Sequence, residues 1–232
     1  MCYSKESSMH SMIIHVICTF ILVMWGIKYK RNDMVCIGVI LFGIGTMQLA
    51  EYYMHDDSTC SNGKNRIGSI LGYYSLIIIQ PIFGMIAIQL ANVKANAKKK
   101  LCLIWAALLL INIISTIPTF PKDKDLCTNK KICDHKPYCT LYWDWNPWGK
   151  ANAFTPIQWI IYCTLVFGLP LIALNQGGFL LVLFAAQIIF EYAIPLAWTP
   201  AGSCYWGPLL VYALYLLDIP NKIPTPRFLK LV

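Results

Sequence analysis

Apolar residues in this chain come in long runs separated by short polar segments, and this alternation is the strongest pattern in the sequence. A bilayer core about 30 Å thick needs roughly 20 apolar residues in a helix. Measured against that length, the pattern predicts seven membrane-spanning helices. Their approximate bounds are 9–27, 34–54, 67–91, 101–118, 155–174, 177–198 and 204–217. The last run is short, so it either spans a thinned bilayer or forms a re-entrant segment.

Composition supports the same fold class. Of 232 residues, 57% are hydrophobic and 13% are charged, which leaves too little polar surface for a soluble globule of this size. The sequence therefore predicts an all-α polytopic membrane protein with one transmembrane domain, residues 1–232. The first run lacks the basic flank and the small-residue site of a cleaved signal peptide, so we expect a permanent helix.

The polar segments carry two kinds of residue. Short basic segments, at residues 28–31, 94–100 and 222–230, fall on one side of the predicted membrane. Six cysteines fall on the other side: Cys2, Cys60, Cys127, Cys133, Cys139 and Cys204. Basic loops mark the cytoplasmic face, and cysteines confined to one face indicate an oxidising compartment. The N-terminus is predicted to be extracellular or lumenal and the C-terminus cytoplasmic, whether the membrane is plasma, organellar or viral.

The loop at 119–154 is the only long segment outside the predicted helices. Its cysteines are spaced C-x5-C-x5-C, and its second half is rich in tryptophan and tyrosine, which favour the membrane interface. We expect a disulfide-braced cap that lies on the outer surface. Zinc sites use closer cysteine pairs, so no metal site is predicted there.

Two carboxylates lie inside apolar runs. Glu51 follows Gln48, and Glu191 follows Gln187, each by about one helical turn. An ionisable group within a bilayer costs roughly 2.5 to 3.5 kcal/mol, so it normally faces the protein interior or water. Both pairs are predicted to bind an ion or proton in an outer-facing cavity. For Glu51, the alternative is a carboxylate that faces lipid headgroups.

Gln80 precedes Pro81 in the third run, where a proline kink would expose a polar side chain to the same route. A purely structural kink is the alternative. His10 and His15 in the first run are interpreted as interface histidines, with proton or metal chemistry as the alternative.

The glutamine, glutamate and tyrosine pattern of the second run recurs in the sixth. Two repeats of three helices joined by a linker helix would produce such an echo. Chance similarity between two apolar helices would produce it as well, because the spacing is three residues in one run and four in the other.

Short strings of the sequence resemble uncharacterised multi-pass proteins encoded by large DNA viruses and by algae and other protists. The strings are MQLAEYYMHDDSTCSN, IIIQPIFG and GSCYWGPLLVY, and the matching residues are Gln48, Glu51, Cys60, Asn62, Gln80, Pro81, Cys204 and Trp206. The resemblance implies a membrane protein and no particular activity.

The leading functional hypothesis is therefore a channel or transporter for a small cation or proton. A seven-helix receptor-like protein that binds a small molecule, and a structural or assembly protein of a viral or organellar membrane, are the alternatives. The sequence contains none of the hydrolase or metalloprotease motifs, so no enzymatic activity is expected. No cofactor and no nucleic-acid partner are predicted; the partners are the bilayer and, in some of these functions, further copies of the chain.

Overall fold

The computed structural model describes residues 4–117, 127, 131–132, 140–141, 155–179, 182, 207–226 and 229. Nearly all of them are helical. The helices are α1 (Lys5–Lys28), α2 (Asn32–Asp56), α3 (Lys64–Leu90), α4 (Ala95–Thr116), α5 (residues 155–173), α6 (Gly207–Leu216) and α7 (Ile219–Lys222). Two short strands, β1 (Lys131–Ile132) and β2 (Thr140–Leu141), pair antiparallel.

Helices α1 to α4 are each long and apolar enough to cross a membrane, as predicted for the first four runs. The fifth run forms α5, whose apolar part, Ile160–Ala173, is shorter. The predicted sixth run, 177–198, lies largely outside the described residues. The described part of the seventh is the ten-residue helix α6. The described part of the chain is therefore helical, with four helices of membrane-spanning length.

The outer surface of the bundle carries many large apolar side chains. Ile17 and Phe20 on α1 are 52% and 64% exposed, and Leu103 and Leu110 on α4 are 62% and 58% exposed. The core is mainly apolar, but fifteen polar or charged residues in the described part of the chain are buried with it. Apolar outer surfaces of this kind are unusual in a soluble bundle and compatible with lipid.

Helices α1 and α2 form a tight antiparallel hairpin. Ser4 caps α1 through a reciprocal pair of hydrogen bonds with Ser7, and α1 ends with the Arg31 N–H donating to the Gly26 carbonyl at 2.7 Å. Glycines let the two helices approach closely: a Cβ on Gly38 would lie 2.9 Å from a methyl of Val23. Small residues at helix contacts are typical of bundles that pack within lipid.

The bundle has two polar ends. At the first, here called the Asp56 end, Asp56 forms ion pairs with Lys5 and Lys64. The neighbouring Cys60 forms a disulfide with Cys127, whose Cα lies 5.6 Å away. This pairing connects the turn between α2 and α3 to Cys127, which lies in the segment 119–154. Cys2, Cys133, Cys139 and Cys204 lie outside the described residues, so their predicted pairing stays a prediction.

Asp57 organises the turn at the same end. Its carboxylate accepts backbone N–H groups from Ser61 at 2.9 Å and Asn65 at 3.1 Å. Burial acts to raise the pKa of Asp57, but these backbone donors, with that of Asn62, together hold it below its ordinary value. The carboxylate therefore stabilises the start of α3 in its ionised form.

At the second end, here called the Asp33 end, Arg31 forms a two-pronged ion pair with Asp33 at 2.6 and 2.8 Å. The same guanidinium contacts Asp218 at 2.8 Å. The basic segments at 28–31 and 94–100 lie at this end, and the disulfide lies at the other. Lys5 and Lys64 lie at the Asp56 end, so basic residues in the described part of the chain are not confined to the Asp33 end.

Candidate functional site: a polar core within the bundle

Helices α3 and α5 share an unusual break. Each contains a five-residue π-helical segment, Ser75–Ile79 in α3 and Thr164–Gly168 in α5. In both helices the second residue after the segment is a proline, Pro81 or Pro170. Proline cannot donate a backbone hydrogen bond and its ring clashes with the carbonyl four residues earlier, so a local widening of the helix accommodates it. The predicted kink at Gln80–Pro81 is therefore a π-helical segment.

The turn of α3 that follows its break packs against the break in α5. Gly84, one turn after Pro81, packs directly on the backbone of α5: a Cβ at this position would lie 2.3 Å from the carbonyl oxygen of Leu165. A glycine is required at this contact because any side chain would push the helices apart. The close approach also brings side chains of α5 into reach of α3.

A chain of hydrogen bonds passes through this region and connects three helices. The Tyr162 hydroxyl on α5 donates to Gln80 Oε1 on α3, and Gln80 Nε2 lies 3.1 Å from Ser75 Oγ. Ser75 Oγ lies 2.6 Å from Thr46 Oγ1 on α2, which in turn lies 2.6 Å from the Gly43 carbonyl oxygen. Tyr162, Gln80 and Ser75 are all buried.

The direction of every bond in this chain follows from the donors present. The Gly43 carbonyl can only accept, so Thr46 uses its single proton there. Ser75 must therefore donate to Thr46, and Gln80 Nε2 donates to Ser75. The chain is polarised in one direction, from Tyr162 to Gly43.

Helix α4 completes the polar core at the break itself. Asn112 Nδ2 donates to the Ile77 carbonyl at 3.4 Å, and Asn112 is fully buried. In a regular helix the carbonyl of Ile77 would accept from residue 81, which here is proline. The Oδ1 atom of Asn112 is itself buried without a hydrogen-bond partner among the described residues.

Glu51 and Gln48 lie on the buried side of α2, nearer the Asp56 end. Glu51 is 1% exposed and Gln48 is 7% exposed. Glu51 is five residues beyond Thr46, about 7.5 Å along the helix axis. Its turn of α2 lies against α3, because a Cβ on Gly68 would lie 2.7 Å from the Ala50 carbonyl oxygen. The interpretation of Glu51 as a headgroup-facing residue is therefore wrong; its carboxylate lies inside the bundle.

His15 is buried as well, at 1% exposure, so its interpretation as an interface residue is also wrong. Its ring packs against Gly45 of α2, and Nδ1 donates to the Ser11 carbonyl at 2.8 Å. Because a carbonyl only accepts, Nδ1 carries a proton.

Two further polar side chains close the end of α4. The Tyr73 hydroxyl donates to the Thr116 carbonyl at 3.0 Å, and Gln158 Nε2 donates to the Ser115 carbonyl at 3.1 Å. Carbonyls in the last turn of a helix lack intrahelical donors, so these side chains satisfy them.

Sequence reasoning identified Glu51, Gln48 and Gln80 as site residues and missed the hydroxyl partners. Tyr162, Ser75 and Thr46 sit in apolar runs where tyrosine, serine and threonine are ordinary. The one available signal was a shared spacing: Ser75 lies six residues before Pro81, and Thr164 lies six residues before Pro170. Glu191 and Gln187 lie outside the described residues, and their predicted role stays a prediction. Within the described part of the chain, no group of three or more metal-ligating side chains occurs.

The fold and this core define a helical bundle with a polar interior and four helices compatible with a membrane. The chain belongs to DUF5765, a family of unknown function, whose model matches residues 10–200. Comparison with curated proteins and with solved structures finds no match.

Proposed function

We propose that this protein is a multi-pass membrane protein that conducts or transports a small cation or a proton through its polar interior. Glu51 is the acidic group of the route in this proposal. Gln48 and Gln80 line it, and Glu191 and Gln187 complete it from the sixth run. The chain has no enzymatic role in this proposal.

The burial of Glu51 is the observation that carries the proposal. It lies in an apolar run of a helix of membrane-spanning length, and yet it is withdrawn from the outer surface of the bundle. A carboxylate at such a depth is costly, and in membrane proteins it usually marks a path for ions or protons. The polarised chain from Tyr162 to Thr46 continues the line of buried polar groups toward the middle of α2 and α3.

Flux measurements on the reconstituted protein test this function. Proton and monovalent-cation flux should exceed that of protein-free liposomes, and Glu51→Gln should reduce it at least about tenfold. Glu6→Gln is the matched control, because it makes the same chemical change on an exposed residue of α1. Flux no higher than in empty liposomes would contradict transport, and equal flux in wild type and Glu51→Gln would remove Glu51 from the route.

We further propose seven spans, with the Asp33 end cytoplasmic and the Asp56 end extracellular or lumenal. The basic segments at the Asp33 end and the disulfide at the Asp56 end support this orientation. A membrane-impermeant thiol reagent, applied to sealed cells after mild reduction, should label Cys60. Labelling of Cys60 only after permeabilisation would reverse the orientation.

A structural role is the second candidate, and the hydrogen-bond chain itself favours it. Tyr162, Gln80, Ser75 and Thr46 satisfy one another between helices, as polar side chains do when they join membrane helices. If the role is structural, Glu51→Gln and Gln80→Met would change the thermal stability, and neither the wild type nor the variants would show flux.

A further inference from the structure

A cleft opens at the Asp33 end, well away from the polar core. It has a volume of about 730 Å³ and lies between the turn that joins α1 to α2, the start of α4 and the end of α5. Its lining includes three basic residues, Lys30, Arg31 and Lys94, and one carboxylate, Asp33. The apolar residues Ile172 and Leu174 line it as well.

The positive charge in the cleft is only partly neutralised. Arg31 is held by Asp33 and Asp218. Lys30 and Lys94 are exposed and form no ion pair with the residues that the structure describes. Two lysines therefore face the cleft with their charge available.

The N-terminus of α4 adds to this positive potential. Helix α4 begins after Lys94, which lines the cleft and makes no side-chain hydrogen bond to the first turn. At the start of α2, by contrast, Asp33 in the first turn offsets the corresponding positive charge. Unsatisfied N–H groups at the start of a helix favour anions, and phosphate in particular.

Two residues that line the cleft have left-handed backbone conformations. Lys30 adopts φ 54° at the end of α1, and Asn175 adopts φ 58° at the end of α5. Glycine fits this left-handed position best. Both residues line the cleft instead, and non-glycine residues held in this conformation concentrate at functional sites.

We propose that this cleft binds the phosphate group of an anionic amphiphile, with Lys30 and Lys94 as the charged ligands. The apolar lining residues Ile172 and Leu174 would contact the glycerol and first acyl carbons of a phospholipid. Basic pockets between membrane helices recognise anionic headgroups in this way. The site does not depend on the transport proposal, since it lies at the opposite end of α2 from Glu51.

Ligand-dependent thermal stability of the full-length protein in neutral detergent tests the site. Phosphatidic acid should raise the melting temperature saturably, whereas phosphatidylcholine should not. The double variant Lys30→Gly with Lys94→Gln should weaken the apparent affinity by about fivefold for each lysine. The matched control, Lys99→Gln with Lys100→Gln, removes equal charge from residues of α4 that do not line the cleft and should bind as wild type does.

The single variant Lys30→Gly separates binding from folding. Glycine relieves the left-handed strain, so the lipid-free melting temperature should rise while the shift caused by phosphatidic acid falls. Inorganic phosphate is the third ligand: a stabilisation by phosphate alone, lost in the lysine double variant, would keep the site and assign it to a soluble phosphate. Equal shifts from phosphatidic acid in both double variants, or no shift from either phosphate source, would overturn the proposal.

Discussion

Asn112 donates to the one carbonyl in α3, that of Ile77, which Pro81 leaves without its regular donor. The relationship connects a local sequence feature to a tertiary contact. The proline removes a hydrogen bond within the helix, and a side chain from the next helix supplies a donor to the same carbonyl. The break in α3 is therefore also a joint, that is, a point at which a side chain of α4 is hydrogen-bonded to the backbone of α3.

This joint predicts a coupled pair of substitutions. Asn112→Leu should lower the free energy of unfolding by about 1 to 3 kcal/mol, because the buried Ile77 carbonyl loses its donor. In a Pro81→Ala background the cost should be smaller, since residue 81 regains an N–H. Chemical denaturation in mixed micelles measures the cycle. Ser115→Ala, which removes a hydroxyl bonded within α4, is the control; equal costs of Asn112→Leu in both backgrounds would contradict the joint.

The contact between α3 and α5 predicts opposite outcomes at two glycines. Gly84→Ala should destabilise the bundle by about 1 to 3 kcal/mol, because its Cβ would meet the Leu165 carbonyl at 2.3 Å. Gly168→Ala should be neutral or stabilising by up to about 1 kcal/mol, since its nearest contact is the Thr164 methyl at 3.5 Å. Thermal unfolding of the two variants side by side measures the difference. Similar losses at both sites would mean that the helices do not approach at Gly84.

Much of the fold could be predicted from the sequence, because a long apolar run is a signal of length and composition that needs no knowledge of partners. Helices α1 to α4 follow from it, and so does the break at Gln80–Pro81. The partner of Gln80 does not follow, because Tyr162 is 82 residues away and nothing local marks its hydroxyl. The left-handed backbone conformations of Lys30, Asn175 and Asp218 at helix ends could not be predicted either, since glycine is the residue expected there.

The disulfide between Cys60 and Cys127 predicts a specific peptide and a measurable stability. Proteolysis without reduction should release a Cys60–Cys127 cross-linked peptide. Because the two residues are 67 apart in sequence, loop closure accounts for about 4 kcal/mol of stability that Cys60→Ser with Cys127→Ser would remove. The same digest shows how Cys2, Cys133, Cys139 and Cys204 pair. Alkylation of Cys60 in the unreduced protein would contradict the assignment.

Asp57 predicts a dependence of stability on acid. Its pKa is below the ordinary value in the folded protein, so its contribution is complete above the unfolded pKa, about 3.9, and is lost as the pH falls through the folded pKa. Wild type should therefore melt higher than Asp57→Asn at pH 7, and the gap should shrink below about pH 4. Melting curves of both proteins from pH 3 to pH 7 measure it. A gap that stays constant with pH would show that the ionised carboxylate is not what holds the turn.

The hydroxyl of Tyr162 predicts how strongly the polar core is coupled. Tyr162→Phe removes the donor to Gln80 Oε1 and leaves a buried acceptor unsatisfied, which should cost about 1 to 3 kcal/mol. Gln80→Met removes the acceptor too, so the double variant should cost clearly less than the sum of the single ones. Tyr29→Phe, on an exposed ring, is the control and should change little. Additive costs would mean that the two side chains act separately. Flux through the same variants then separates the two candidate functions. If Gln80 lines a transport route, Gln80→Met should lose conductance, and adding Tyr162→Phe should not restore it. If Gln80 only joins helices, the wild type and the variants should all lack flux.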